Sequence, residues 1–415
     1  MKRPDARRVY LFLSFTSSVL FATAFTAMAL YEASTAGLNP FQLVLVGTTL
    51  ELSVLLCEVP TGVVADVYSR RLSILAGHAL IGLGFMVEGI FPHFIPILLA
   101  QVIWGVGYTF TSGATQAWLS DEIGEENANK AFLTGNRVGL AGGLVGMLAA
   151  IGLGSFTSPA VPIVVSGAGR VVLVAALIFL MSETNFKPTK PENRNTFQHM
   201  ADIFRKGLHT VRARPAMVAI LGVALFYGLY SEGFDRLWVK HLLERFALPV
   251  IFGHNEMAFF GFLEAASSLL SIAATRLVEK RLDLRNARAI GNLMLGITIG
   301  IAASIVTFAL SPLLGLSLAV YLVIATLRSL TGPLMDAWMN QRLDSDVRAT
   351  VLSMTGQVDA FGQIAVGPVI GVLANAVSVP LAISISGGLL TPALGFIARA
   401  NHQSTATPVE SHHEV

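Results

Sequence analysis

Apolar runs of about twenty residues follow one another along almost the whole sequence. They begin near Val9, Phe41, Leu72, Phe94, Ala131 and Pro162 and, after a polar interruption, near Ala216, Met257, Ala287, Leu313, Ala349 and Val379. A hydrocarbon core about 30 Å thick is crossed by a helix of that length. Inside lipid every backbone N–H and C=O must be satisfied within the protein, so a run this long and continuous spans as a helix. The pattern predicts an all-α membrane protein of twelve transmembrane helices, six before the interruption and six after it. Composition agrees: 53% of the residues are hydrophobic and only 13% charged, against about 25% charged in a soluble domain. That leaves too little charge to cover a water-facing surface. A single cysteine, Cys57, excludes a disulfide framework and a multi-cysteine metal site. The first run has the length of a span, so it is expected to act as its own insertion signal and not as a cleaved leader.

The basic residues set an orientation, because Lys and Arg collect in cytoplasmic loops. Lys2, Arg3, Arg7 and Arg8 precede span 1, and Arg70 and Arg71 follow span 2. Lys280, Arg281, Arg285 and Arg288 follow span 8, and Arg342 and Arg348 follow span 10. The loops after spans 1, 3, 5, 9 and 11 carry neither residue type; Lys240 and Arg245 after span 7 break the pattern. Both termini are therefore expected in the cytoplasm, and the chain in the cell membrane. The expected organisation is a six-helix half over residues 1–182, a cytoplasmic linker at 183–215, a second six-helix half over 216–398, and a disordered tail at 399–415. Within the linker Met200, Ile203, Phe204, Leu208 and Val211 recur at helical spacing opposite basic residues, which reads as an amphipathic helix on the inner leaflet or as a plain connector.

The two halves echo each other. Gln116-Ala117-Trp118-Leu119 ends span 4 and Asp336-Ala337-Trp338-Met339 ends span 10. Leu133-Thr134-Gly135-Asn136 and Met354-Thr355-Gly356-Gln357 follow at nearly the same offset, and Glu51 and Asp66 fall opposite Glu264 and Glu279. Parallel repeats of this kind place a substrate site near the midplane, where the repeats face each other. Chance likeness between apolar helices is the competing explanation.

After span 2 the sequence reads Gly62-Val63-Val64-Ala65-Asp66-Val67-Tyr68-Ser69-Arg70-Arg71. A glycine, an aspartate four residues later and a basic pair beyond it resemble the loop signature of the major facilitator superfamily. The resemblance covers the chain in length, topology and repeat. It implies an inner latch in which Gly62 permits close helix approach and Asp66, Arg70 and Arg71 engage an acidic partner below span 4, Asp121 or Glu122. Ser69 stands where glycine is usual in that signature, and Val67 where a basic residue is common. The second half keeps a degenerate remnant from Glu279 to Arg285. Proton-coupled drug exporters of this superfamily carry an arginine in span 4 where this chain has Gln101, and a Gly-Pro bend in span 5 where it has Gly139, Gly142, Gly143 and Gly146. Gly367-Pro368 lies in span 11 instead.

An ionisable group at membrane depth costs about 2.5–3.5 kcal/mol on insertion scales, so such groups mark pathways or partners. Glu51, its repeat counterpart Glu264, and Asp359 are the proton-coupling candidates; a protonated carboxyl bonded to a neighbouring helix is the structural alternative for each. Span 7 holds Tyr227, Tyr230, Glu232, Asp235 and Arg236. Glu232 and Arg236 are one turn apart and can pair, and they read as a solvated helix end in preference to a gate. Arg328 in span 10 needs a carboxylate, and Asp359 is nearest by depth. In the superfamily spans 1, 4, 7 and 10 line the cavity, which would place Thr23, Thr26, Gln101, Trp104, Tyr108, Tyr227, Tyr230, Arg328 and Asp336 there, joined by Gln357 from the repeat. A lipid-facing aromatic stripe is the other reading of Trp104 and Tyr108.

These features point to a secondary active transporter working by alternating access, exporting an amphipathic small molecule or drug against proton entry. An importer or exchanger of a polar or anionic metabolite anchored by Arg328, and a lipid flippase, are the alternatives. The expected partners are the solute, protons and the bilayer, with the chain a monomer. No Gly-rich loop followed by Lys-Ser or Lys-Thr is present, and no nucleophile–base set assembles, so no cofactor and no enzymatic activity are expected. His412 and His413 are too few for a metal site, and nothing suggests nucleic acid.

Overall fold

A computed structural model describes residues 5–188, 215–251, 253, 255–283, 286–341 and 345–403. The expected linker helix lies almost wholly outside the described residues. Among them the regular structure is helical, and twelve helical stretches are long and apolar enough to cross a membrane. In chain order the helices are α1 (Ala6–Leu30), α2 (Pro40–Val67), α3 (Arg70–Ile90), α4 (Phe94–Thr111), α5 (Ala114–Ile123), α6 (Glu125–Phe156) and α7 (Ala160–Leu180). There follow α8 (Pro215–Arg245), α9 (Met257–Arg281), α10 (Ala287–Leu310), α11 (Leu314–Asn340), α12 (Ser345–Ala376), α13 (Val379–Leu389) and α14 (Thr391–Gln403). The last helix thus continues past Arg399, and Asn401 donates to Asn292 at 3.3 Å.

Local chemistry sets the breaks. Asn39 and Gln42 form a reciprocal capping box with Pro40 at the first helical position, which starts α2. Ser69 caps α3 through the Leu72 N–H. Span 4 divides into α4 and α5 at Gly113, whose φ of 70° suits a residue without Cβ.

The chain divides into two compact units, Met1–Thr196 with Val239–Ala265, and Phe197–Trp238 with Ala266–Val415. In the first unit α1 packs along α6 and α7, and α3 along α4 and α7. The glycines of span 5 form the seam with α1: a methyl at Gly142 would stand 2.5 Å from the Phe15 carbonyl oxygen, and one at Gly146 would press on the Val19 carbonyl. Gly143, facing away, has nothing within 4 Å. Within the same unit the start of α9 meets the end of α6, where Asn255 donates to the Gly154 carbonyl at 2.9 Å. In the second unit α10 packs on α11, α13 and α14, and α12 on α13. There Gly228 of α8 lets the Asp359 backbone of α12 approach, and Gly362 of α12 answers toward Leu225. The tryptophans of the repeat, Trp118 and Trp338, are both fully buried.

Candidate functional site

In the second unit α8 and α11 bring a charged cluster together at span depth. Both terminal nitrogens of Arg328 donate to the two carboxylate oxygens of Asp235, the Nη2–Oδ2 bond measuring 2.7 Å. The guanidinium lies 5.6 Å from the Tyr230 ring centroid and 5.7 Å from that of Phe234. A bidentate charge-assisted pair fixes geometry as well as charge. The side chains of Arg328 and Asp235 are 26% and 42% accessible. In lipid each ion of such a pair would cost several kcal/mol, and pairing offsets part of that. Tyr227 shares a 2.8 Å hydrogen bond with Thr298 and meets Tyr230 edge to face.

Arg328 does not take the partner expected from depth. Asp359 accepts a 2.8 Å bond from Gln363, one turn along its own helix, and stands within electrostatic reach of Arg328 and Asp235 without closing the ion pair. Depth along a span is legible in sequence; rotation about the helix axis is not, and rotation turns Asp235 toward Arg328. The Glu232–Arg236 pair forms at 3.3 Å, but it is no solvated helix end: Glu232 is 2% exposed and α8 runs on to Arg245.

The remaining expected residues separate into groups. Thr26 is buried on α1 and its hydroxyl bonds Glu264, so two of them meet in the first unit. Thr23 is spent on packing, with its hydroxyl against the Val19 and Gly146 carbonyls in the α1–α6 seam, and it faces no open space. Gln101 and Trp104 are buried and Tyr108 is exposed. Glu51 and Gln357 are half-buried, and Asp336 is exposed near the end of α11.

At the end of the first unit that bears the loop signature, Arg70 pairs with Asp121 at 2.6 Å and with Asp66 at 3.6 Å. Arg71 instead donates through its side chain to the Ile178 carbonyl at 2.6 Å. Gly62 brings no helix close: a Cβ there would meet nothing within 4 Å. Ser69, the departure from the signature, uses its hydroxyl twice, capping α3 and donating to Glu183 at 2.6 Å. Glu122 gathers the Thr184 and Asn185 backbone N–H groups and the Thr184 and Ser182 hydroxyls, while Trp118 donates to the Ser182 carbonyl. The segment after α7 is thus strapped to this face. Glu122→Ala is expected to destabilise the protein by about 1 kcal/mol, because water can take over the exposed Thr184 and Asn185 donors. A thermal melt in detergent checks it; an unchanged midpoint would show the strap to be idle.

Sequence reading passed over an equally charged set in the first unit. Arg170 of α7 is fully buried, its Nη1 lies 2.9 Å from His78 Nδ1 of α3, and its guanidinium carbon sits 3.8 Å from the Phe21 ring centroid. Guanidinium only donates, so His78 Nδ1 accepts and the ring holds its proton on Nε2. Glu88 of α3, also fully buried, accepts from Gln101 Nε2 at 3.0 Å, and Gln101 Oε1 accepts from the Trp104 indole at 2.9 Å. Beyond α1 the chain widens into a π-turn, Tyr31–Thr35, that buries Tyr31 and Glu32, and the Tyr31 hydroxyl donates to the Glu88 carbonyl. The rule that selects Glu51 selects Glu88, His78 and Arg170 as well, since each lies inside an apolar run.

The helical spans are those of a polytopic membrane protein. The sequence profile of the Major Facilitator Superfamily matches residues 10–368, and the chain belongs to that superfamily. It is 22% identical over 342 residues, 81% of either chain, to YxaM of Bacillus subtilis (strain 168), described as an uncharacterized MFS-type transporter. Its fold is shared with a bacterial homolog of the human lysosomal transporter Spinster in an inward-facing, unoccupied conformation, at 15% identity and a TM-score of 0.74 over 98% of this chain and 99% of that one. The nucleoside transporter NupG matches at 16% identity and a TM-score of 0.69, covering 97% and 99%. A D-xylose–proton symporter matches at 11% and 0.68, covering 94% and 96%. As a member of this superfamily the chain is a transporter and not an enzyme.

Proposed function

We propose that this transporter works by alternating access and exchanges protons for an amphipathic small molecule bearing a positive charge, moving it out of the cell. The observation that carries this is the cluster of Asp235, Arg328 and Asp359, two carboxylates against one guanidinium. With both acids ionised the cluster holds one uncompensated negative charge. A proton or a cationic solute can neutralise it, and occupancy by one disfavours the other, which is the requirement for exchange. An anionic solute is disfavoured for the complementary reason: the guanidinium that would anchor it already holds Asp235 with both terminal nitrogens. The basic loops support cytoplasmic termini and a cell-membrane location, and the transporter acts as a monomer in this reading. Glu51 and the Thr26-bonded Glu264 are further proton carriers in this reading. Arg70, Asp66 and Asp121, with Gly62 and Arg71 beside them, form its inner latch.

The test is transport in proteoliposomes under an imposed pH gradient, with internal pH recorded beside solute flux for cationic dyes, drugs, nucleosides, sugars and small anions. Cationic amphiphiles are expected to move with proton counterflow. Asp359→Asn, which leaves the cluster without its uncompensated charge, is expected to weaken binding of a cationic solute and to lose at least about tenfold of the proton-driven flux, as removal of a positioned proton acceptor does. Glu51→Gln and Glu264→Gln in the same assay assign the remaining carboxyls. Movement of anions or neutral sugars alone, or full coupling in Asp359→Asn, would refute the proposal.

A further inference from the structure

A buried chain of three polar side chains runs between α4 and α3 in the first unit. The Trp104 indole donates to Gln101 Oε1 at 2.9 Å, and Gln101 Nε2 donates to Glu88 Oε2 at 3.0 Å. An indole N–H can only donate, so the amide must turn its oxygen to Trp104 and its nitrogen to Glu88. The direction of the chain is thereby fixed, and it ends on a carboxyl oxygen that accepts.

Glu88 stands two residues before the end of α3, whose other end begins in the loop signature. It is thus within one turn of the loop that joins α3 to α4. At this end α1 gives way to the π-turn, and a widened turn of that kind recurs at functional sites. The turn buries Tyr31 and Glu32; the Tyr31 hydroxyl donates to the Glu88 carbonyl and lies within electrostatic reach of both carboxyls. The other elements packed on α3 are α2, α4, α5 and α7. The one charged residue of α7 is Arg170, turned onto Phe21 and His78, and α4 carries the exposed Tyr108. On α5 lie Asp121 and Glu122, both engaged beside the loop signature, and on α2 lie Glu51, Cys57, Glu58 and Asp66. On α3 itself are Arg70, Arg71 and His78.

A carboxyl at this depth is costly when charged. A structural indole needs one acceptor, and Gln101 supplies it; an ionisable group at the far end is not required for that, since a neutral amide there could accept as well. What the carboxyl adds is a bond whose strength depends on its proton. A hydrogen bond to an ionised acceptor is about twice as strong as one to a neutral acceptor. A protonated carboxyl can also donate, and the amide oxygen it would meet is the one that holds the indole. Proton occupancy of Glu88 is therefore felt at Trp104.

We propose that Glu88 is a further proton-binding residue of this transporter and that Gln101 relays its proton occupancy to Trp104. The proposal rests on the reading of the chain as a proton-coupled exchanger, and it deepens that reading by adding a proton-loading residue at the end of the first unit away from the loop signature. In loading, a proton from water adds to the Glu88 carboxylate and neutralises it; in release the same proton returns to water.

The test follows tryptophan emission of the purified full chain against pH, beside proteoliposome flux at varied external pH. The wild type is expected to show an emission transition that Trp104→Phe and Glu88→Gln each remove and that Glu88→Asp restores with a shifted midpoint. Glu88→Gln is also expected to lose about tenfold of the proton-driven flux while its thermal midpoint stays at or above that of the wild type, as a structural carboxyl would not allow. Should Glu88→Gln fail to fold, Gln101→Leu cuts the chain between carboxyl and indole and is expected to abolish the same transition. Emission independent of pH in the wild type, or a transition that persists in Glu88→Gln, overturns the relay. Unaltered pH dependence of flux in Glu88→Gln overturns the role in proton binding. A Glu88-dependent transition without proton-driven flux would remove the coupling reading and leave Glu88 a proton site; proton-driven flux without that transition would do the reverse.

Discussion

Arg328→Gln is expected to cut solute flux about a hundredfold at equal protein level. Removing one member of a buried ion pair costs roughly 3–5 kcal/mol, because the other charge stays behind uncompensated. Here both side chains are partly open, and water reduces that cost to about 2–3 kcal/mol, or about two powers of ten in an equilibrium constant. Asp235 would then lose the guanidinium that holds both of its carboxylate oxygens, and Asp359, within electrostatic reach of both groups, would lose the nearby cation as well. Arg328→Lys keeps the charge but loses the two-nitrogen geometry, so it should recover stability and only part of the flux. Asp235→Asn with Arg328→Gln removes the uncompensated charge and is expected to restore the thermal midpoint while flux stays low. Proteoliposome flux and a detergent melt, measured on the same preparations, separate these effects. Wild-type coupling in Arg328→Gln would show the pair to be structural.

The contrast between Arg328 and the helix count explains what the sequence makes legible. A span is a one-dimensional property, set by how many apolar residues run between polar ones, and the twelve runs survive as twelve helical stretches. The loop signature is nearly as local, since Arg70 and Asp66 are one turn apart and Asp121 lies at the predicted end of span 4. Pairings between distant spans depend on how each helix is turned about its axis. Arg328 and Asp359 share a depth, yet Asp235 is the group α8 turns toward α11. Thr23 and Thr26 lie on the same span, yet one faces α6 and the other reaches Glu264. The charges around Arg170 and Glu88, in spans 3 and 6, are legible by the rule that selects Glu51, a charge inside an apolar run, but their partners are not. Ser69 looks like a blemish in a signature until Glu183 is seen to accept from it.

Gly228→Ala is expected to be among the most damaging single substitutions, although it adds one methyl group. On an exposed helix that change would be favourable by about 0.5–1 kcal/mol, because alanine loses less backbone entropy than glycine. At this position the new Cβ would fall on the Asp359 carbonyl oxygen, and the opposing Gly362 has its own would-be Cβ 2.6 Å from the Leu225 carbonyl oxygen. Backbone cannot swing aside as a flexible side chain can, so α8 and α12 must separate. Overpacking of this kind costs about 1–3 kcal/mol and occasionally more. The separation would also carry Asp359 away from Asp235 and Arg328, so flux should fall further than stability alone predicts. The α1–α6 seam supplies an internal control one residue wide. Gly142→Ala should lower the thermal midpoint, because its methyl meets the Phe15 carbonyl, whereas its neighbour Gly143→Ala meets nothing within 4 Å and should leave the midpoint unchanged or raise it. Equal effects at Gly142 and Gly143 would mean that helix propensity, and not close approach, governs these glycines. A harmless Gly228→Ala would show that α8 and α12 do not approach as closely as the charged cluster requires.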